Sequence, residues 1–203
     1  FRSFPGDLVL GEEGGGETGD RLWIVDPIDG TANFARGDLQ WGISIGYLHQ
    51  GRPEIGYLSA PALDEVFVAR RGHGAFLNGK PIRVAPTDTM ARAAVEHGWS
   101  TRLPLDDYLS SVKRFFEAGA HVKRAASGAL GMAWVACGRT DAYVEYHINA
   151  WDVAAGVVIV TEAGGRVNDF FTGDWATTGN PILAVAPGVA ALASAITGLE
   201  AKA

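Results

Sequence analysis

Sulfur chemistry is almost absent from this sequence: Cys137 is the one cysteine among 203 residues. That excludes an internal disulfide and a cysteine-built zinc site, and it fits a reducing, cytoplasmic setting. Long apolar runs are missing as well. No stretch approaches the roughly 18 residues that cross a bilayer, and no signal-peptide pattern precedes the first motif, so no membrane role is expected. Dense Lys/Arg tracts are also lacking and the net charge is −6, which gives no support to nucleic-acid binding through a basic face. An anionic ligand would then need some attraction other than the overall field, and a bound cation could supply it. The chain opens on Phe1 rather than Met, and is read as lacking its natural start.

What is present has ordinary globular texture, with 47% hydrophobic and 20% charged residues. The expected organisation is one domain over 1–203. It comprises an antiparallel-sheet lobe over about 1–90 and an α/β lobe over about 91–203. "LWIV" (Leu22 to Val25) reads as a short buried strand that stops at Asp26. The segment from Gln40 to Val84 predicts three or four antiparallel strands, with Asn78-Gly79 closing a two-residue hairpin. "AAVEHGWS" predicts another strand. The segment after it predicts a helix whose Tyr108, Leu109, Val112, Phe115 and Phe116 share a face. Further on come a strand, a helix with Ser127 as N-cap and Gly138 as stop, and a second strand. A buried helix capped by Asp152 and ended by Gly164-Gly165 follows, then a closing strand and helix.

Three groups of acids sit at the mouths of apolar elements: Glu12-Glu13 after "LVL", Asp26 and Asp29 after "WIV", and Asp152 at the start of a buried helix. Two carboxylates about 4 Å apart repel by roughly 4 kcal/mol at a surface-like dielectric. Such clustering persists only with a shared proton, a basic neighbour or a cation, and no Lys or Arg lies between Trp23 and Phe34. Hard divalent cations favour such oxygens, and magnesium commonly adds substrate phosphate to its shell. Pro27 can fix Asp26 and Asp29 with the Ile28 carbonyl between them. Gly30 and Thr31 would then offer backbone amides to a phosphate and a hydroxyl to orient water. Each piece also has an ordinary reading: "PIDG" as a β-turn, Thr31 or Asp152 as a helix cap, Glu12-Glu13 as a solvated loop. Capping and metal binding are compatible, since a carboxylate has two oxygens. The functional case lies in the conjunction.

"WIVDPIDGTANF", with "GEE" upstream and "WDVAAGVVIVTEAGG" downstream, resembles the inositol monophosphatase family of magnesium-dependent, lithium-sensitive phosphatases. "GHGAFLNGKPIRV" also resembles the family's hairpin, and the likeness runs along essentially the whole chain. The resemblance implies an α/β fold, a five-layer αβαβα sandwich whose N-terminal helical pair is missing from this chain, and a homodimer. It implies two or three Mg2+ held by Glu12, Asp26, the Ile28 carbonyl, Asp29 and Asp152, with Thr31, Asp29 and Glu12 as catalytic residues. Gly30 and Thr31 would contact phosphate, Ala126, Ser127 and Gly128 would approach substrate with backbone, and Glu145 and Asp152 would face inositol hydroxyls. The family's helical pair carries a Lys and an Asp near the site, and that Asp partners the Thr in activating water. The implied partner is a small phosphate monoester, with no nucleic acid or membrane. Histidinol phosphate, fructose bisphosphate and 3′-phosphoadenosine phosphate are served by the same scaffold. Ala32-Asn33-Phe34 lacks the Lys typical of the adenosine branch, and Glu145 favours a polyol. The five histidines, His49, His73, His97, His121 and His147, are read as structural or surface residues. A non-catalytic regulatory protein on this fold is the competing class, and the intact acid set speaks against it.

Overall fold

The computed structural model describes residues 4–202, and two mixed sheets organise them. The large sheet is built from β1 (Leu8–Gly11), β2 (Gly15–Gly16), β3 (Arg21–Asp29), β4 (Gly42–His49), β5 (Arg52–Ala60), β6 (Glu65–Arg70), β7 (Ala75–Leu77) and β8 (Lys80–Pro81). Its order is β2-β1-β3-β4-β5-β6-β7-β8, antiparallel except for the β1–β3 pair. The segment after Gln40 thus yields five strands, more than the three or four expected. The extra one comes from the short β7–β8 hairpin, whose Asn78 and Gly79 both have positive φ, as a primed two-residue turn requires.

The second sheet runs β10-β9-β11-β13-β12, from β9 (Ala94–His97), β10 (His121–Lys123), β11 (Ala142–Ile148), β12 (Arg166–Val167) and β13 (Asn180–Val185). Between the sheets lie α3 (Gly128–Ala136) and α4 (Ala150–Glu162), both enclosed and apolar nearly all round. On the far side of the second sheet lie α2 (Leu105–Glu117) and α6 (Ala190–Thr197). The two remaining α-helices among the described residues, α1 (Thr31–Phe34) and α5 (Trp175–Thr178), are single turns. This makes four layers, β-α-β-α. The outer helical layer of a five-layer sandwich, expected to be missing, is not found among the described residues. The face it would cover carries half-buried Trp23, Val25, Ile45, Tyr47 and Tyr57.

The helix expected after the "AAVEHGWS" strand is α2, and its shared apolar face is only partly used: Phe115 is buried, but Leu109 is 50% and Phe116 57% exposed, because the helix rests on β10 and α6 along one narrow side. One expectation needs correction: α4 is capped by Asn149, not Asp152. Asp152 is the third helical residue, and its carboxylate accepts from the Asn149 amide in a capping box.

α4 lies very close to the large sheet because glycine faces it. A Cβ on Gly46 would stand 2.6 Å from the Ala154 Cβ, and one on Gly56 2.3 Å from the Ala155 carbonyl oxygen. Ser44 fixes the helix's start by donating its hydroxyl to the Trp151 carbonyl at 3.0 Å. Gly56→Ala is therefore expected to push the helix off the sheet and to cost about 2 kcal/mol or more in urea denaturation.

His97 is wholly buried among Tyr108, Phe115 and Tyr146. Its Nδ1 donates to the Gly98 carbonyl and its Nε2 accepts from the Ser111 hydroxyl. Burial lowers its pKa to about 4, against the opposing pull of the Gly98 bond. The unfolded chain takes up this proton below about pH 6.5 and the folded chain only near 4. Stability from neutral His97 is thus full above 6.5 and lost as pH falls through that window. His97→Gln should flatten the decline of the melting temperature between about pH 6.5 and 4. An unchanged slope would contradict the assignment.

Candidate metal and phosphate site

The site begins with a defect in β3. The strand does not stop at Asp26 as the sequence suggested; it continues to Asp29. Asp26 pairs with Ser44 and Asp29 with Gly42, so three steps along β3 match two along β4. In a regular strand, residues three apart face opposite sides. The extra residue of this bulge turns both carboxylates to the inner face, where Asp26 is 1% and Asp29 6% exposed. Pro27 has no N–H to lose from the ladder at the bulge, and the Ile28 amide donates to Asp26 Oδ1 at 2.9 Å.

α4 brings the third acid. One oxygen each of Asp26, Asp29 and Asp152 lie within 4.8 Å of one another. No ion pair among the described residues involves any of these acids. The result is electrostatic conflict. Burial, then Asp29, pushes Asp26 above the usual carboxylate range. Burial, then Asp29 and Asp26, pushes Asp152 well above it. Burial raises Asp29 to about 6, although it accepts from the Ser127 hydroxyl, the Ala129 amide at 2.9 Å and the Gly128 amide at 3.3 Å. Ser127 works twice, since its Oγ also accepts from the Leu130 amide as the N-cap of α3. An oxygen-only group of closely spaced acids, two of them buried and one half-buried, is a donor set that fits a hard divalent cation.

The other expected residues gather around this triad in different degrees. The parallel pairing of Gly11 with Val25 brings Glu12 alongside Asp26. Glu12 remains exposed and outside the triad, its carboxyl raised by partial burial and then by Asp26. Gly30 caps α1 with φ 86°, where a Cβ would meet the Gln40 carbonyl at 2.9 Å. Thr31 is exposed at the head of α1, and its hydroxyl donates to the Ile28 carbonyl at 3.0 Å. That bond takes up one lone pair of the carbonyl expected to be a ligand and leaves one. Ala126, Ser127, Gly128 and Glu145 line a cavity of about 160 Å³ together with Asp29 and Asp152. Glu145 is not an exposed strand residue. Burial raises its pKa to about 7, and Tyr143 donates to it at 2.6 Å.

Several contributors were not visible beforehand. Glu96, 1% exposed, accepts from the Ala125 amide at 2.5 Å, while the Asn33 side chain donates to the Ala125 carbonyl at 2.8 Å. This double clamp holds the next residue, Ala126, at φ 61°, a left-handed conformation that costs a non-glycine residue energy. Arg124 and Trp99 also line the cavity. An isolated acid inside the apolar "AAVEH" was the available signal for Glu96. For Ser44 there was none.

Fold and cluster together define a layered α/β protein with an acidic, oxygen-only centre. The full sequence narrows this further: the profile of the Inositol monophosphatase family matches residues 1–200, and the chain belongs to that family. It is similar to the Fructose-1,6-bisphosphatase/inositol-1-monophosphatase of Thermotoga maritima, 42% identical over 167 residues, covering 82% of this chain and 64% of the relative. The chain thus spans slightly less than two thirds of that relative's length. It is 39% identical over 178 residues to the Nus factor SuhB of Pseudomonas aeruginosa, covering 83% of this chain and 66% of that one. Among solved structures it resembles the inositol monophosphatase of Anabaena (Nostoc) sp. with a TM-score of 0.88 and 35% identity, over 96% of this chain and 79% of that one.

The raised carboxylates set a testable pH dependence. The unfolded chain releases the Asp29 proton near pH 4 and the folded chain near 6, so stability is lost as pH rises through that window and stays lost above it. A cation that displaces the protons should reverse this. Magnesium is expected to raise the melting temperature strongly near pH 7.5 and hardly at all near pH 4.5. Asp29→Asn should melt higher than the native protein without magnesium at neutral pH and gain less from it. A pH-independent magnesium shift would contradict this account.

Proposed function

We propose that the chain forms the catalytic body of a Mg2+-dependent phosphate monoester hydrolase acting on inositol monophosphate or a related polyol phosphate. The observation that carries the reading is the triad of buried Asp26 and Asp29 with half-buried Asp152, short of neutralising charge, its Asp29 and Asp152 lining a cavity whose other wall is a helix start. Glu12 and the Ile28 carbonyl complete the proposed ligand set for two or three ions. When bound, Mg2+ supplies Lewis acidity toward water and ester oxygens.

The chain's own residues do the remainder. Gly30 and the first amides of α1 orient the phosphate, because the amides of Asn33 and Phe34 are already committed to the Gly30 carbonyl. In this reading the Thr31 hydroxyl, tethered to the Ile28 carbonyl, holds the attacking water. Ala126, Ser127 and Gly128 bring backbone to the leaving group, and Glu145 accepts hydrogen bonds from its hydroxyls. Because the transition state is loose and anionic, positioning accounts for most of what the protein contributes. No covalent phosphoenzyme is needed. A homodimer, lithium sensitivity and a cytoplasmic location belong to the same reading, through the family resemblance.

A second reading has its own support, since several relatives are named Nus factor SuhB. In it the fold serves regulation rather than turnover. Histidinol phosphate is the competing substrate within the catalytic reading. Phosphate release by the full-length protein from inositol 1-phosphate and histidinol phosphate, with and without magnesium and lithium, separates these cases. Magnesium-dependent release with the higher kcat/KM on the inositol ester, and a fall of roughly a hundredfold or more in Asp29→Asn, is expected. Release that ignores magnesium, or none at all, would defeat the catalytic reading.

A further inference from the structure

Tyr143 is a phenol where a hydrocarbon would suffice for packing. It sits on β11 two residues before Glu145, so both side chains leave the strand on the face toward α3 and α4. The ring is 2% exposed, and its hydroxyl donates to Glu145 Oε2 at 2.6 Å. Space for the pair is made by glycines from separate segments. A Cβ on Gly131 would stand 2.4 Å from the Tyr143 ring, and one on Gly128 3.2 Å from its hydroxyl oxygen. One on Gly98 would stand 1.9 Å from Glu145 Oε2 and 2.9 Å from the Tyr143 hydroxyl oxygen. The cleared volume thus serves a hydrogen bond as much as a ring.

That bond occupies one carboxylate oxygen. The other, Oε1, has no hydrogen-bond partner among the described residues, on a side chain that lines the cavity beside Asp29, Asp152 and Arg124. A carboxylate on a flexible stem samples several rotamers, whereas one held by a buried phenol is a directed acceptor. We infer that Tyr143 is a positioning residue that fixes Glu145 as an acceptor for the hydroxyls of a polyol leaving group, so that the pair selects polyol phosphates over esters lacking hydroxyls. The inference rests on the phosphatase reading and adds the basis of its substrate preference.

The test uses the full-length protein with magnesium, inositol 1-phosphate and the hydroxyl-free ester p-nitrophenyl phosphate. Tyr143→Phe keeps the ring and removes the donor. The ratio of kcat/KM for the inositol ester to that for the nitrophenyl ester should drop roughly tenfold, mainly through KM. Gly98→Ala, which drives a methyl into Glu145 Oε2, should lower the same ratio. In a Glu145→Gln background, Tyr143→Phe should lower it little further, because the phenol acts through that carboxylate. An unchanged ratio in Tyr143→Phe, or additive losses in the double variant, would overturn the inference while leaving the phosphatase reading intact. Hydrolysis of neither ester by the native protein would overturn both.

Discussion

One irregularity in one strand sets up the whole centre. Residues three apart along a regular strand diverge by half a turn, so Asp26 and Asp29 can meet only because β3 carries an extra residue against β4. The bulge places two acids in a desolvated position where they repel each other, and β4 and the neighbouring elements must hold them there. Ser127, Gly128 and Ala129 supply hydrogen bonds to Asp29, and Ile28 supplies one to Asp26. These bonds offset part of the cost of burial without removing the charge conflict. Proteins tolerate such conflict where a ligand resolves it.

The rest of the architecture can be understood as delivering the third acid. Asp152 is useful only if α4 runs close over β4 and β5, and the glycines facing the helix permit that approach. Ser44 links the two contributions: it pairs with Asp26 across the sheet and holds the Trp151 carbonyl at the start of α4. One hydroxyl therefore references the helix to the strand. On the opposite wall, the clamp of Glu96 and Asn33 on Ala125 fixes the backbone leading into α3.

Much of this was legible in the sequence, for identifiable reasons. Motif residues announce themselves when chemistry restricts their type: acids after apolar runs, Gly-Thr after acids, Asn-Gly in a hairpin. What stayed hidden depends on register. The bulge could not be seen, because "WIVDPID" reads as strand then turn, and only the pairing with β4 shows the strand continuing. Asp152 reads as a cap because an Asp before a helix is a good one, but Asn149 lies three residues earlier and takes that place. Periodicity showed that α2 is amphipathic without showing how much of its apolar face the fold would use. Tyr143 was within reach, since period two puts it beside Glu145, yet a tyrosine in a buried strand reads as core. Its hydroxyl acquires meaning only once Gly98, Gly128 and Gly131 are seen around it.

The acids come from a strand of the large sheet and from a helix sandwiched between the sheets, with Glu12 adjacent on a loop at the sheet's edge. An ion seated among them would act as a rivet through segments more than a hundred positions apart in the chain. Holding such distant segments together opposes the loop entropy that drives the polymer apart, so ion affinity and the integrity of the entire body become one thermodynamic quantity. Damage anywhere that loosens the stacking of sheet on helix would then register first as a weakened grip on the ion, well before the body itself comes undone.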